Sequence, residues 1–600
     1  MDGVLVSRRV RTRRQVSKLM AVFVASSVGG YLSVTADVAH SVVTATVSPW
    51  EAPTIADTSY IVPAGAMFVA PTGRDTNPGT QAAPFATITK ALARAKAGAT
   101  IVLRGGTYRQ SLGVIKLGVT LQAYPHEQPW IKGSIVAGSF TASSGAWSRA
   151  WTTTTCNNCY PSGVIDPLFP NAGMADQVFI DGVPQAQVST RAALKPGAFF
   201  MDRSAKKLWL GSNPNAHTVE VTVLDRAVLV NSAATATAFK GLGFAHFAAH
   251  YNSDVPAMVV ATAANMKFDK NTFAWSASRG LSFYGANNVL TDNTFINNGM
   301  NGVHSFQTTN TMFKRNRVAY SNFERFSIAP SSQGSVGGAK MTMADRGHYE
   351  ANIFEDNMSN ALWIDVSSSN NVVVNNTFVR NAGHGFDIEV SANTIVAGNV
   401  IAANGRDGLK ISGANNVEAW NNTIFANGWA QVGVYEDPRQ HPPAAIASRG
   451  ITWDTSNVRL MNNVIVAGPY SSRPVLNSFD LTSPKHATTQ SMITAQDNNV
   501  WGRTNVAGMK YLATVQATLT ANARYNDLTG MQAATRRETR SRSADNLPIS
   551  KIFVNFGAGN LSLAATAPKP TPARLPASVA TNMGVATTVA TIGALKAPVA

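Results

Sequence analysis

Cysteine is almost absent from this 600-residue chain: only Cys156 and Cys159 occur, in the run Cys-Asn-Asn-Cys. Two thiols fall short of a four-ligand zinc site, and no histidine neighbours them in the sequence. In an exported chain the expected state is a local disulfide, with a redox role as the lesser reading. Charge is scarce too, at 14% of residues, whereas Ala, Thr, Val, Asn and Gly abound. That balance disfavours helical bundles and suits short strands joined by tight turns. Long apolar runs are missing after the first fifty residues, so no membrane span is expected in the mature chain.

Residues 1–45 read as an export signal and linker. A basic region precedes an apolar stretch from Leu19 to Val34 and small residues around Ala36 and Ala39. Thr12-Arg13-Arg14-Gln15-Val16 is compatible with a twin-arginine signal, an ordinary secretory signal being the alternative. The chain is therefore expected to be secreted or held at the cell surface. The formal net charge is +17, and +12 without the first eighteen residues. Such a surface suits an acidic polysaccharide, nucleic acid or a cell-wall polymer, and charge alone does not choose.

Periodicity is the strongest signal. From residue 259 a phrase of strand, Asn-containing turn, strand and Asn recurs about every 23 residues. Its second asparagine falls at Asn271, Asn293, Asn316, Asn352, Asn376, Asn399, Asn422 and Asn463, with insertions near 326–337 and 436–449. Six residues earlier stand Asn265, Asn287, Asn310, Asn370, Asn393, Asn416 and Asn457, with Arg346 as the exception. Asparagine tolerates left-handed turns, and stacked amides can hydrogen-bond along an axis, so these columns read as ladders rather than ligands. Between them Phe268, Leu290, Phe313, Tyr349, Val373, Val396, Ala419 and Leu460 share one inward position. The fold class expected is all-β, a right-handed parallel β-helix.

The expected domains follow. Residues 66–149 hold an N-terminal cap, with a helix near 86–97, and the first coils. Residues 150–227 break the rhythm and read as a small inserted β-domain. Residues 228–470 are the main repeats, and 471–600 hold irregular final coils, a cap and a tail. The basic run from Arg536 to Arg542 reads as a solvated loop, and no nucleic-acid partner is expected.

Aligning the first strand of each coil on its inward pairs, from Leu281/Phe283 to Leu409/Ile411, exposes two outward columns. One reads Ser282, His304, Lys340, Trp363, Asp387, Lys410; the next Tyr284, Phe306, Thr342, Asp365, Glu389, Ser412. Coils stack at about 4.8 Å, so Asp365 and Glu389 are expected about 5 Å apart, the separation of nucleophile and acid/base in retaining glycosidases. Crowded carboxylates should raise at least one pKa. A solvated charged strip balanced by lysines is the plain alternative. Trp363 is a candidate sugar platform, and His304, Lys340, Asp387 and Lys410 are candidate substrate contacts. Tyr435 and Asp437, in a cluster with Glu436, Pro438 and Arg439 at the mouth of the second insertion, are further candidate substrate contacts lining the same groove, the end of a turn being the plain alternative.

The opening "PTGRDTNPGT…PFATITKA" and the asparagine columns resemble bacterial β-helix proteins, pectate-lyase-like ones included. The stretch "DQVFIDGVPQAQV…PGAFFMDRSAKKLWLG", with "LWIDVSSSN" and "GFDIEVS", is more specific. It resembles secreted proteins related to glycoside hydrolase family 120, the β-xylosidases, over roughly residues 66 to 470. The resemblance implies Asp365 as nucleophile and Glu389 as acid/base, with a polysaccharide or oligosaccharide substrate and no cofactor. A uronate lyase is the alternative enzyme: Lys340 or Lys410 would abstract a proton while Asp365, Asp387 and Glu389 held Ca²⁺. A non-catalytic carbohydrate-binding protein of the cell surface is the third reading.

Overall fold

The computed structural model describes residues 52–594, apart from the short stretches 153–154, 157–158, 252–254, 329–334, 440, 481–485, 487, 519–520 and 590. The export signal expected in 1–45 lies outside the described residues. Three sheets of 13 strands each run the length of the coil, and nearly every pairing within them is parallel, one coil to the next. The core between them is apolar, with phenylalanines stacked coil on coil. Phe273 lies 4.8 Å from Phe295 and Phe354 lies 5.0 Å from Phe378, ring centre to ring centre.

The shared inward position is one continuous register. Phe239, Phe268, Leu290, Phe313, Tyr349, Val373, Val396, Ala419 and Leu460 pair in succession, and all are buried.

The two asparagine columns differ physically. The column from Asn271 to Asn463 is buried, and each amide donates to the next coil's side-chain oxygen and to a backbone carbonyl. Here the left-handed residue is the one before the asparagine, such as Lys270, Asp292 or Asn375. The column from Asn265 to Asn457 takes positive φ itself and lies nearer solvent. Its amides link Asn287 to Asn265, Asn310 to Asn287, and Asn457 to Asn416. Arg346 continues it with an Nε–H donated to Asn310 at 2.9 Å. A third ladder, Asn357–Asn381–Asn404–Asn427, runs along another corner.

The capping helix is shorter than expected, Ile88–Arg94, with Thr87 as its N-cap accepting from Lys90 N–H. Ile88 and Ala91 close the open end of the core. Two small sheets sit on the flank of the coil. They include strands Ser134–Ala137, Thr141–Ser143 and Ala146–Ala150, so the chain leaves the coil before residue 150 and rejoins it at Val228–Val230. Tyr160, Val164 and Ala172 from this excursion pack on Phe326 and Val336 of the first insertion.

Both described ends of the chain run along the outside. Near the start, Thr54 O accepts from Thr272 and Ile61 O from Gln122. Near the end, helix Ala577–Met583 packs Val579, Ala580 and Met583 on Val374, Ala397 and Trp420, far back along the coil. The run at Arg536 is tied down at its centre: Glu538 is fully buried and accepts from Asn499, the last amide of the inner ladder.

Candidate active site

Strands Arg279–Ala286, Val303–Thr309, Gly337–Thr342, Asn360–Asp365, Phe386–Glu389 and Leu409–Ser412 pair in order in one of the long sheets. Their register aligns Ser282, His304, Lys340, Trp363, Asp387 and Lys410 in one column. Val303, Ala339, Leu362, Phe386 and Leu409 face inward and are buried, which turns the intervening residues out. Phe306, Thr342 and Asp365 form the neighbouring column, and Glu389 pairs with Ser412 one coil further on.

Lys340 Nζ lies 2.8 Å from Asp365 Oδ2, both side chains being nearly inaccessible. The same ammonium sits 3.0 Å from the centre of the Trp363 ring. Trp363 Nε1–H donates to Glu389 Oε2 at 3.1 Å. Lys410 Nζ lies 3.2 Å from Asp387 and 3.8 Å from Glu389. Asn360 Nδ2 donates to Asp387 at 3.3 Å. Each strand ends at its acid because the next residues, Val366 and Val390, take positive φ. The Val366 N–H donates back to Asp365 Oδ1 at 2.6 Å.

Arg439, from the second insertion, spans the acids. Its guanidinium lies 3.1 Å from Glu389, 3.9 Å from Asp365 and 2.7 Å from Asp437. Sequence reasoning placed Arg439 in the right cluster without linking it to the acids, since an insertion has no repeat register. Asn360, which holds Asp387, carries no such signal in the sequence either. It opens its strand two positions before the inward Leu362, where alternation alone would turn it away from the acids.

Burial sets the electrostatics. It pushes Asp387 up to about 7 against the pull of Lys410, and it also raises Glu389, with the Asp365 charge adding to the effect. Burial lowers Lys340, an effect that Asp365 opposes. Although burial disfavours the Lys410 and Arg439 charges, the surrounding carboxylates hold both above their usual values. Arg439 in turn keeps Asp437 low despite its burial.

The remaining candidates lie apart from the acids. His304 is buried one coil from Lys340, and its Nδ1 has no partner. Burial, then the Arg279 and Lys340 charges, hold its pKa well below the usual value. Tyr435, expected on the groove, is buried instead: its hydroxyl meets Asn477 at 3.2 Å and Asp407 at 3.5 Å, and its ring packs on Phe479. Cys156 and Cys159 are joined as a disulfide. Although no histidine neighbours them in sequence, the fold brings His250 against the pair, the one trio of His, Cys or acidic groups within metal-binding reach among the described residues.

Residues 257–424 match the family described as right handed beta helix region, and residues 71–122 match a protein family of unknown function, DUF1565. A solved structure of XylC with xylose superposes with a TM-score of 0.55 at 16% identity, covering 73% of this chain and 83% of that one. The A-module of the Azotobacter vinelandii mannuronan C-5 epimerase AlgE6 gives a TM-score of 0.41 at 13% identity, over 69% and 87% of the two chains. The uncharacterized protein YwoF of Bacillus subtilis (strain 168) is 37% identical over 78 residues, 12% of this chain. That match spans only 17% of YwoF. Sheet topology, the family match over the central coils and the superposition agree: by fold the chain is a right-handed parallel β-helix protein.

Proposed function

We propose that the chain is an exported carbohydrate-active enzyme, a retaining glycoside hydrolase with Asp365 as nucleophile and Glu389 as acid/base. The observation that carries this reading is the spanning of both acids, on adjacent coils, by the single guanidinium of Arg439. Burial raises the Glu389 pKa, the direction that favours a proton donor. Asp365 is ion-paired to Lys340 and accepts a backbone hydrogen bond, which fixes its carboxylate for attack. In the first step Glu389 protonates the leaving glycosidic oxygen while Asp365 bonds to the anomeric carbon, giving a glycosyl ester. Glu389, now a carboxylate, then takes a proton from water, which displaces Asp365 and releases the sugar. Trp363 offers little free ring face, because Lys340 occupies one side; its part is to hold Glu389. The resemblance to a protein solved with xylose makes pentosides the first substrates to try.

A uronate lyase is the second reading, favoured by one observation: burial lowers the Lys340 ammonium toward the range of a proton-abstracting base. The arrangement of the acids does not fit its Ca²⁺, which needs several oxygens turned to one point. Asp365, Asp387 and Glu389 instead face Lys340, Lys410 and Arg439 respectively.

The test is a screen of the purified chain on aryl-glycosides and uronate polymers, with and without EDTA. Aryl-glycoside release that ignores EDTA and disappears in Asp365→Ala is the expected result. An EDTA-sensitive rise in ultraviolet absorbance on a uronate polymer would replace this reading with the lyase. Glycan binding that persists in Asp365→Ala, with no turnover of either substrate class, would leave a binding protein.

A further inference from the structure

Among the described residues, Arg279 is a buried cation without a counter-charge. It is 9% exposed, its Nε has no partner, and no side-chain hydrogen bond or ion pair from a described residue reaches it. Arg503, at 1% exposure, shows how this fold otherwise accommodates a buried guanidinium. It pairs with Asp545 and donates to the carbonyls of Met509, Lys510 and Asn526. An unpaired buried charge costs several kcal/mol, so a position that keeps one is poised for an anion from outside.

The surroundings of Arg279 are those of a ligand site. Among the described residues, Tyr160, Tyr251 and Tyr284 are the ionisable groups that act on its charge, and none of them is an acid at neutral pH. Ser282 Oγ and His304 Nδ1, paired across adjacent coils, are both buried and both without a partner. The strand of His304 lies between those of Arg279 and Lys340. The cluster thus continues the column that ends at the acids. From Arg279 to Asp365 is three coils, roughly 14 Å at about 4.8 Å per coil.

We propose that this groove recognises a carboxylate-bearing sugar, with Arg279 gripping the carboxylate and Ser282 and His304 meeting neighbouring hydroxyls, three coils from the cleavage point. The proposal rests on the reading of the Asp365–Glu389 groove as a glycan site and adds the substrate class: an acidic oligosaccharide, not a neutral one. The guanidinium fork matches a carboxylate with two parallel hydrogen bonds, a geometry that lysine cannot supply. A neutral imidazole and a hydroxyl both donate and accept, as sugar hydroxyls require.

Calorimetry on the full mature chain tests it without needing turnover. The probes are xylotetraose with and without a glucuronate branch, and tetragalacturonate with its carboxyl-reduced form, with sodium sulfate as the free-anion control. The expected result is an acidic member of one pair binding about tenfold or more tighter than its neutral counterpart at low salt. In Arg279→Met the preference falls to within about twofold, and Arg279→Lys restores only part of it. Thermal melting of Arg279→Met, which removes an unpaired charge, should stay at or above that of the wild type. Equal binding of acidic and neutral members, or a preference unchanged in Arg279→Met, overturns the proposal; so does sulfate binding at Arg279 without any sugar preference. An acidic preference without glycoside turnover would keep this inference and remove the hydrolase reading, and turnover without preference would do the reverse.

Discussion

The indole of Trp363 donates its Nε1–H to Oε2 of Glu389 at 3.1 Å, across one coil step. The hydrogen bond favours the carboxylate over the acid, so Trp363 opposes the burial that raises Glu389. Replacing Trp363 with Phe keeps a ring beneath Lys340 and removes only the donor. The expected result is a shift of the alkaline limb of the kcat/KM profile to higher pH. A loss in kcat/KM of roughly tenfold should accompany it, since a hydrogen bond to a charged group is worth about 1.5–3 kcal/mol. An unmoved limb would mean that Glu389 is not the group titrating there.

Arg439 acts on the same acid from the opposite side. It is 3.1 Å from Glu389 and draws that pKa down. Arg439→Gln is expected to move the alkaline limb upward as well. In the double variant with Trp363→Phe the two shifts should add only in part, because both report on one carboxyl. Measuring pH profiles for both single variants and the double checks this.

The two asparagine columns should differ sharply in cost. Asn376 is buried: it accepts from Asn352 N–H and Nδ2 and donates to Tyr349 O and Asn399 Oδ1. Asn376→Ala strands several of these groups, and a loss of about 3–5 kcal/mol is expected, each orphaned group costing about 1–3 kcal/mol. Asn393 makes side-chain links in the outer ladder and supplies a left-handed turn. Asn393→Gly keeps that turn and should cost about 1 kcal/mol or less. Denaturant melts of the two variants decide between these values.

Glu538 closes the inner ladder and is pushed up to about 7 by burial, against 4.5 for a free glutamate. Between those values the folded chain holds a proton that the unfolded chain has lost, so stability falls as pH rises through that window. The full loss is about 3 kcal/mol, at about 1.36 kcal/mol per pKa unit. Glu538→Gln mimics the protonated acid. It should match the wild type at pH 4 and exceed it by roughly that amount at pH 8 in urea titrations. Equal stability at both pH values would place the ionised form comfortably in its pocket.

How much of this could be read from the residues follows from what repeats. The column Ser282, His304, Lys340, Trp363, Asp387, Lys410 was legible because each member sits between two inward side chains of fixed spacing. Arg439 was not, because it lies in an insertion where spacing carries no register. Arg279 was not either. It stands before the alternating segment, and a lone arginine in sequence gives no sign that no acid will reach it. Tyr435 holds its expected register position opposite Ser412, yet its side chain lies back along the sheet over Gly433 to reach Asn477 and Asp407. Register fixes the row a residue occupies, while packing beyond the row decides where a long side chain points.

The helix Ala577–Met583, laid across Val374, Ala397 and Trp420, changes how the molecule should come apart. A bare stack of coils frays from its free end one rung at a time, since each rung holds only its neighbours. Here the last segment is fastened to rungs laid down some two hundred residues earlier. Peeling the final coils therefore requires the strap to lift from the middle first. The C-terminal half should then melt as one block, and a pull on that end should load the centre of the stack before its tip.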